Sequence, residues 1–453
     1  MINTSVGFDV DNDMHPIDWA YDYRARQSFD TLIKSAGNTG ASLSSPAKAF
    51  KVITVGGSDN EETSNWSDDR WWDGSSWINP SNREKPEVVA RADDISAIAR
   101  DNAVTLEDGT SYASPQVAGL AALLMDRNTL LLSAPNAVKA IIMASALQNI
   151  EGASRFSDKD GAGAIDAFSA YSIASTRGSE GTTACIGPCW WNTYITPSNL
   201  PDDTFLNRYF LASKGEKIRI VIAWWSYAYC TDLQNCDYDF LSTDLDLKIY
   251  DPDGTQVASS VSSVNNFEIV EFMAPKTGQY RIGVYRFSLT LPPVGEASNY
   301  VGFAWVKDAT YLPDLRNKDG LSSEIYIRND GAVARYVEIH YFDINGNPTP
   351  KGSDVCNLSP NQWCWIPVDS LNRIPAGTFG SAIVAGAEDV SVVVRQRDVD
   401  NSPEVWATYN GSTQPASEAF VPLLHRITPV GTAISLFKTP GQARPASPFT
   451  SKP

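Results

Sequence analysis

Residues 108–125 read DGTSYASPQVAGLAALLM, a polar turn running straight into an apolar helix, and no other stretch constrains the fold as tightly. Gly109 lets the backbone approach closely, and Thr110 and Ser111 put two hydroxyls where a helix begins. Pro115 is tolerated if it falls in the opening turn. Val117 to Met125 reads apolar on every side, which predicts a helix buried all round. A serine at the start of such a helix faces free N–H groups and the positive end of the dipole, which stabilise developing negative charge. Hydroxyl placement alone describes a Ser/Thr cap. The same placement suits a nucleophile.

The string itself separates the two. GTSYASPQVAG resembles the nucleophile motif of the subtilisin-like serine peptidases, G-T-S-x-A-S-P-H-V-A-G, in ten of eleven letters, with Gln116 in place of His. That His is not a triad member. The resemblance puts Ser111 in the nucleophile's place and implies protein or peptide substrates.

Upstream, INTSVGF reads as a strand and DVDNDMHP as a polar loop. Residues 21–34 place Tyr23, Phe29, Leu32 and Ile33 at helical spacing. SAGNTG (35–40) is a glycine-punctuated turn, and KVITVGG (51–57) a β-branched strand. This rhythm predicts an α/β fold with a parallel sheet. INTSVG, SAGNTG, KVITVGG and KPEVVA (85–90) also resemble pieces of the same family in its own order, and 133–146 and 160–174 resemble the two helices that close its domain. Asn38 thereby falls on the oxyanion-hole position, where its amide would donate beside the Ser111 N–H; read alone, it is a turn residue. The insert from Asn60 to Asn82 is acidic and tryptophan-rich, and packing explains that density more simply than sugar contact does.

The pattern then departs from the family. Its triad runs Asp, His, Ser, and neither D-x-G nor H-G-T-H precedes Ser111. The three histidines are His15, read as a solvated loop residue, and His340 and His425 in distant β sequence. Without a base, Ser111 has no proton acceptor. Residues 1–176 are therefore expected to be the C-terminal portion of a subtilisin-like domain. A truncated product, a mis-called start or a separately encoded N-terminal segment would account for that. As it stands the chain is expected to be an incompetent protease.

Composition bounds the rest. A net charge of -17 over 453 residues argues against nucleic acid or an anionic membrane as partner. Val117 to Met125, the longest apolar run, is too short to span a bilayer. No signal peptide is visible at Met1. The six cysteines nevertheless fall in three close pairs, Cys185/Cys189, Cys230/Cys236 and Cys356/Cys364, which predicts local disulfides and a secreted or cell-surface protein.

After Ser175 the helical pattern gives way to alternating strands, predicting all-β sandwich domains over 177–308 and 309–439 and a flexible tail over 440–453. The change of pattern also predicts that residues from about 180 onward fold without the peptidase part. DLDLKIYDPDG (244–254) and a following A-P-x-T-G-x-Y strand resemble the pre-peptidase C-terminal domain of secreted peptidases. Asp244, Asp246, Asp251 and Asp253 offer oxygen ligands for Ca²⁺, although a polar strand face and a turn explain them more simply; no other cofactor is expected. Further on, 337–348 reads as a hairpin through Asn345-Gly346, and 311–330 and 420–439 align as a weak repeat resembling bacterial surface modules. An alternative function is therefore a surface protein whose β modules bind polysaccharide or protein beside an inert remnant. That reading leans on Trp190, Trp191, Trp224 and Trp225.

Overall fold

Strands β1 (Ile2–Thr4), β2 (Leu32–Ser35), β3 (Val52–Asp59) and β5 (Val88–Arg91) run parallel in the order β1-β2-β3-β5, and the short β4 (Arg70–Trp71) pairs antiparallel with β3. The structure is a computed structural model. It describes residues 1–410 except 9–12, 63–68, 80–81, 99–101, 148–154, 179–180, 182–183, 186, 202, 213, 215, 233–234, 291–298, 308, 331–333, 345–347, 386–389 and 399–404. The Asn345-Gly346 turn, the 420–439 repeat, His425 and the 440–453 tail lie outside the described residues. The chain divides into two compact units, Met1–Lys307 and Asp308–Pro453.

In the first unit, helix α1 (Pro16–Ser28) joins β1 to β2. Its limits correct the expected 21–34 helix. Phe29 takes a left-handed φ of 55° and ends α1, and Leu32 and Ile33 enter β2 as buried strand residues. His15 is not a solvated loop residue but the N-cap. Its Nδ1 accepts the Ile17 N–H at 3.3 Å, and the Asp18 carboxylate accepts the His15 N–H at 2.8 Å.

A hairpin of β6 (Ile95–Ile98) and β7 (Val104–Glu107) leads into α2 (Thr110–Arg127), which packs on β2, β3 and β5. Burial all round is not what this helix shows: Gly119, Ala122 and Leu123 are exposed, because the sheet covers one face only. Pro115 also lies beyond the opening turn. Lacking an N–H, it cannot serve the Ser111 carbonyl, which instead accepts the Ser5 hydroxyl at 3.3 Å. The helix with every residue buried is α3 (Pro135–Ser145). Of the helix expected over 160–174, only α4 (Ala167–Ser175) forms; Ala164 bridges Val89 and Leu147 instead.

The β-rich part of this unit comprises β8 (Cys189–Ile195), β9 (Phe205–Ala212), β10 (Lys217–Trp224), β11 (Tyr227–Asp232), β12 (Asn235–Phe240), β13 (Thr243–Tyr250), β14 (Gln256–Ser260), β15 (Phe267–Met273), β16 (Gly278–Leu289) and β17 (Asn299–Lys307). Two antiparallel sheets, β15-β10-β17-β8 and β14-β13-β16-β9, share a core that includes Trp191, Trp224, Ile220, Leu247 and Phe303. The other face of the first sheet closes over α3. Trp190, Val221, Ala223, Phe267, Ile269 and Ala304 join Ala137, Ile141 and the α2 residues in one cluster. Backbones approach so closely there that a Cβ on Gly302 would lie 2.2 Å from the Ala137 nitrogen. The change of pattern near Ser175 is thus a change of secondary structure without a break in the core.

Glu87 anchors this junction. Its Oε1 pairs with Lys85 and Lys139, each at 2.7 Å, and its Oε2 accepts the Thr54 N–H at 2.7 Å, all three side chains being buried. Burial alone would raise the Glu87 carboxyl; the two ammonium groups outweigh it and hold the carboxyl below its ordinary value. Glu87→Ala leaves two buried cations without a counter-ion, so it is expected to cost about 3–5 kcal/mol, read by urea unfolding.

The second unit is one antiparallel sheet of β18 (Ala309–Lys318), β19 (Leu321–Asn329), β20 (Arg335–Asp343), β21 (Pro348–Leu358), β22 (Trp363–Pro367), β23 (Thr378–Ala385), β24 (Val390–Asp398) and β25 (Val405–Asn410), around its own core of Leu312, Ile325, Tyr341 and Val394. Disulfides join Cys185 to Cys189, Cys230 to Cys236 and Cys356 to Cys364. Among the described residues, no helix is long and apolar enough to cross a membrane.

Candidate functional site

Ser111 and Asn38 line one pocket of about 290 Å³, formed where the end of β1, the end of β2 and the start of α2 meet. Two glycines make the approach feasible. Gly37 takes φ 116° and Gly109 φ 141°, and a Cβ on Gly109 would sit 3.0 Å from Asn38 Nδ2. Thr110 then fixes the Asn38 amide. Its N–H and its hydroxyl both donate to Asn38 Oδ1, at 2.9 and 2.8 Å. With the oxygen committed, the Nδ2 donors have no partner among the described residues, and Asn38 is exposed to the pocket. The Ser111 hydroxyl donates to the Ser5 carbonyl at 3.3 Å. Ser5 Oγ also lies 3.1 Å from Ser114 Oγ, tying the residue after β1 to the second turn of α2. The arrangement places a hydroxyl beside an amide donor at a helix N-terminus, as an oxyanion site requires.

Among the described residues, no histidine and no carboxylate lines this pocket. His15 is held at the N-cap of α1, and His340 lies on β20 of the second unit. The one titratable side chain in the lining is Lys34, which the sequence reading passed over. Its signal was a lone charge in the apolar strand LIKS, directly before the SAGNTG turn. Lys34 is buried, and burial pushes its ammonium down to about 8, against a smaller opposing pull from Asp18. Gln116 stands clear of the chemistry, donating to the Arg91 and Tyr112 carbonyls.

Of the candidate Ca²⁺ ligands, Asp246, Asp251 and Asp253 are paired with lysines, whereas Asp244 has a buried carboxylate oxygen with no hydrogen-bond partner among the described residues. Lys276 Nζ lies 2.5 Å from Asp251 and 2.7 Å from Asp253, a cation already in the turn, and Asp251 also accepts the Asp253 and Thr255 N–H groups. The Lys276 hydrogen bond leads the effects that hold Asp251 below its ordinary range. Asp246 pairs with Lys248 at 3.1 Å, and burial followed by its neighbour Asp246 raises Asp244 to about 6. Among the described residues, the carboxylates that do cluster are Asp93, Asp94 and Asp108, within 4.8 Å of one another and outside the pocket lining. Trp190, Trp191, Trp224 and Trp225 are all buried, so none offers a face to a ligand.

Comparison with known proteins gives the following. Residues 1–168 match the model of the subtilase family. Over 156 residues the chain is 32% identical to a subtilisin-like protease, SBT6.1, of Arabidopsis thaliana; the match covers 31% of this chain and 14% of that protein's length. Among solved structures, a mutant protease domain of PatA is 24% identical, covering 38% of this chain and 58% of that one with a TM-score of 0.31. The epidermin leader peptide processing serine protease of Staphylococcus aureus is 17% identical, covering 36% and 44% with a TM-score of 0.28.

Proposed function

We propose that residues 1–168, which match the model of the subtilase family, are a segment of a subtilase domain, and that the chain's chemistry is hydrolysis of a peptide bond through an acyl-enzyme at Ser111. The observation that supports it is the locked Asn38 amide. Thr110 holds its oxygen, so its nitrogen can donate only outward, toward an oxyanion forming on a carbonyl at Ser111. The Ser111 N–H at the start of α2 is the second donor.

The proton acceptor and its orienting carboxylate come from a segment outside these 453 residues. Two features favour this: among the described residues the pocket lining holds no imidazole, and β1 pairs on one side only, with Ile2 exposed on it and Val6 and Phe8 exposed just after it. An incoming strand would cover that edge. The three disulfides fit an oxidising compartment. The test is to supply an Asp- and His-bearing subtilase segment, fused or in trans, and follow fluorophosphonate labelling. Labelling is expected to appear at Ser111, vanish in Ser111→Ala, and slow by about 10²–10³ in Asn38→Ala, the loss known for this donor in subtilisin. Labelling elsewhere, or none, refutes the reading.

A second reading, binding of polysaccharide, draws on different tryptophans from those first considered. On β22, Trp363 and Trp365 are 64% and 51% exposed, and Trp363 stacks on Tyr326 at 6.1 Å. Retention on insoluble polysaccharide that Trp363→Ala abolishes would support it.

A further inference from the structure

We propose that the pocket beside Ser111 selects a carboxylate, so that the peptide residue it receives is Asp or Glu, held by Lys34. This rests on reading Ser111 and Asn38 as the reacting site. The pocket has room for one side chain, at about 290 Å³, and every side chain in its wall is polar. Its single charge among the described residues is the Lys34 ammonium, 1% exposed. Two of the three ammonium protons are committed, to the Ser35 carbonyl at 2.5 Å and the Ser35 hydroxyl at 2.9 Å. The third has no partner among the described residues.

No carboxylate forms an ion pair with Lys34 among the described residues. Asp18 on α1 is the charged group that acts on it; its Oδ2 is engaged by the His15 N–H and the Ser45 hydroxyl, and its Oδ1 is buried with no hydrogen-bond partner among the described residues. A desolvated cation with a spare donor and no ion-paired carboxylate among the described residues is a receptor for an anion. Access is kept open by the absence of side chains. A Cβ on Gly7 would stand 3.2 Å from Lys34 Nζ and 2.4 Å from Ser44 Oγ, filling the path, and one on Gly37 would crowd Ser44 Oγ at 3.2 Å. The Ser35 hydroxyl, which accepts from Lys34, keeps its own proton for a carboxylate oxygen, while the Ser44 hydroxyl donates to the Ala36 carbonyl at 3.3 Å.

The test is calorimetric binding to the full chain of short N-acetyl peptide amides that differ only in a last residue of Glu, Gln or Lys. At pH 6.5 the Glu peptide is expected to bind at least about tenfold more tightly than the other two. Burial holds the ammonium near 8, and the groups facing it are Asp18, Ser35 and Ser44, so the preference falls as the pH rises past about 8. Lys34→Met removes the preference, and Lys34→Glu turns it toward the Lys peptide. Should Lys34→Glu fail to fold, Lys34→Met still decides. Equal affinity of the three peptides, no binding by any, or a preference that survives in Lys34→Met overturns the inference. Free-acid peptides in parallel show whether a terminal carboxylate occupies the same place, an outcome that overturns side-chain selection if it erases the difference between Glu and Gln. Labelling of Ser111 in the complemented protein reports separately on the hydrolase reading. Labelling with no acidic preference sinks this inference alone, and an acidic preference without labelling sinks that reading alone.

Discussion

The purified 453-residue chain, incubated with a fluorophosphonate, is expected to show no more modification of Ser111 than the Ser111→Ala variant shows at that peptide. The probe reacts with a serine whose proton is being taken. The Ser111 hydroxyl donates a hydrogen bond to the Ser5 carbonyl, which is too weak a base to take the proton. The described histidines are committed elsewhere: His15 holds the N-cap of α1 and His340 belongs to β20. In subtilisin, loss of the histidine alone costs about 10⁶ in kcat, which puts labelling below detection. On the proposed reading, what remains is oxyanion stabilisation by Asn38 and the Ser111 N–H, with no base among the described pocket residues other than Lys34 to activate the nucleophile. Intact-mass measurement after prolonged incubation reads the result directly. Stoichiometric labelling would mean that a base lies within the chain. Lys34 would then be the first suspect, as the one titratable group in the pocket lining, and labelling lost in Lys34→Met would settle it.

Much of this site was legible because it is local. The turn-to-helix string around Ser111 and the glycine turn around Asn38 carry their geometry in a few consecutive residues, and the glycines stand where positive φ and close approach require them. What sequence could not convey is set by partners far along the chain. The direction of the Asn38 amide depends on Thr110, 72 residues away. His15 acts as a cap because Pro16 and Asp18 let a helix start at that point, where an Asp-rich stretch reads as loop. The apolar run in α2 promised burial on every side, yet the sheet covers one face, while burial all round fell to α3, whose run is shorter. The role of Lys34 was hidden for the same reason: one charge in a strand is unremarkable until the ends of β1, β2 and α2 enclose it.

The same distinction between pattern and packing governs the last prediction. Residues 180–307, cut away from 1–179, are expected to lose cooperative unfolding, contrary to the independent folding that their strand pattern suggests. The sheet β15-β10-β17-β8 has two apolar faces, one closed by β14-β13-β16-β9 and the other by α3. Removal of α3 uncovers Trp190, Val221, Phe267, Ile269 and Ala304 together. At about 1.5–3 kcal/mol for each large apolar side chain, the loss is roughly 5–10 kcal/mol, as large as the whole stability of an ordinary domain. Polar partners go as well. Arg219 loses the Ala146 and Ala162 carbonyls, keeping only Glu271, and Asn136 no longer serves the Tyr300 carbonyl. The β11–β12 hairpin loses α1, where Arg26 lies over the Tyr227 ring and Phe29 meets Trp225 edge-on at 5.1 Å. Urea unfolding of 180–307 followed by tryptophan fluorescence should therefore be broad, with dye binding at zero urea reporting the bare sheet face. A single sharp transition without dye binding would show that the two sheets hold together unaided, and would make the contact with α3 an accessory to the fold rather than a part of it.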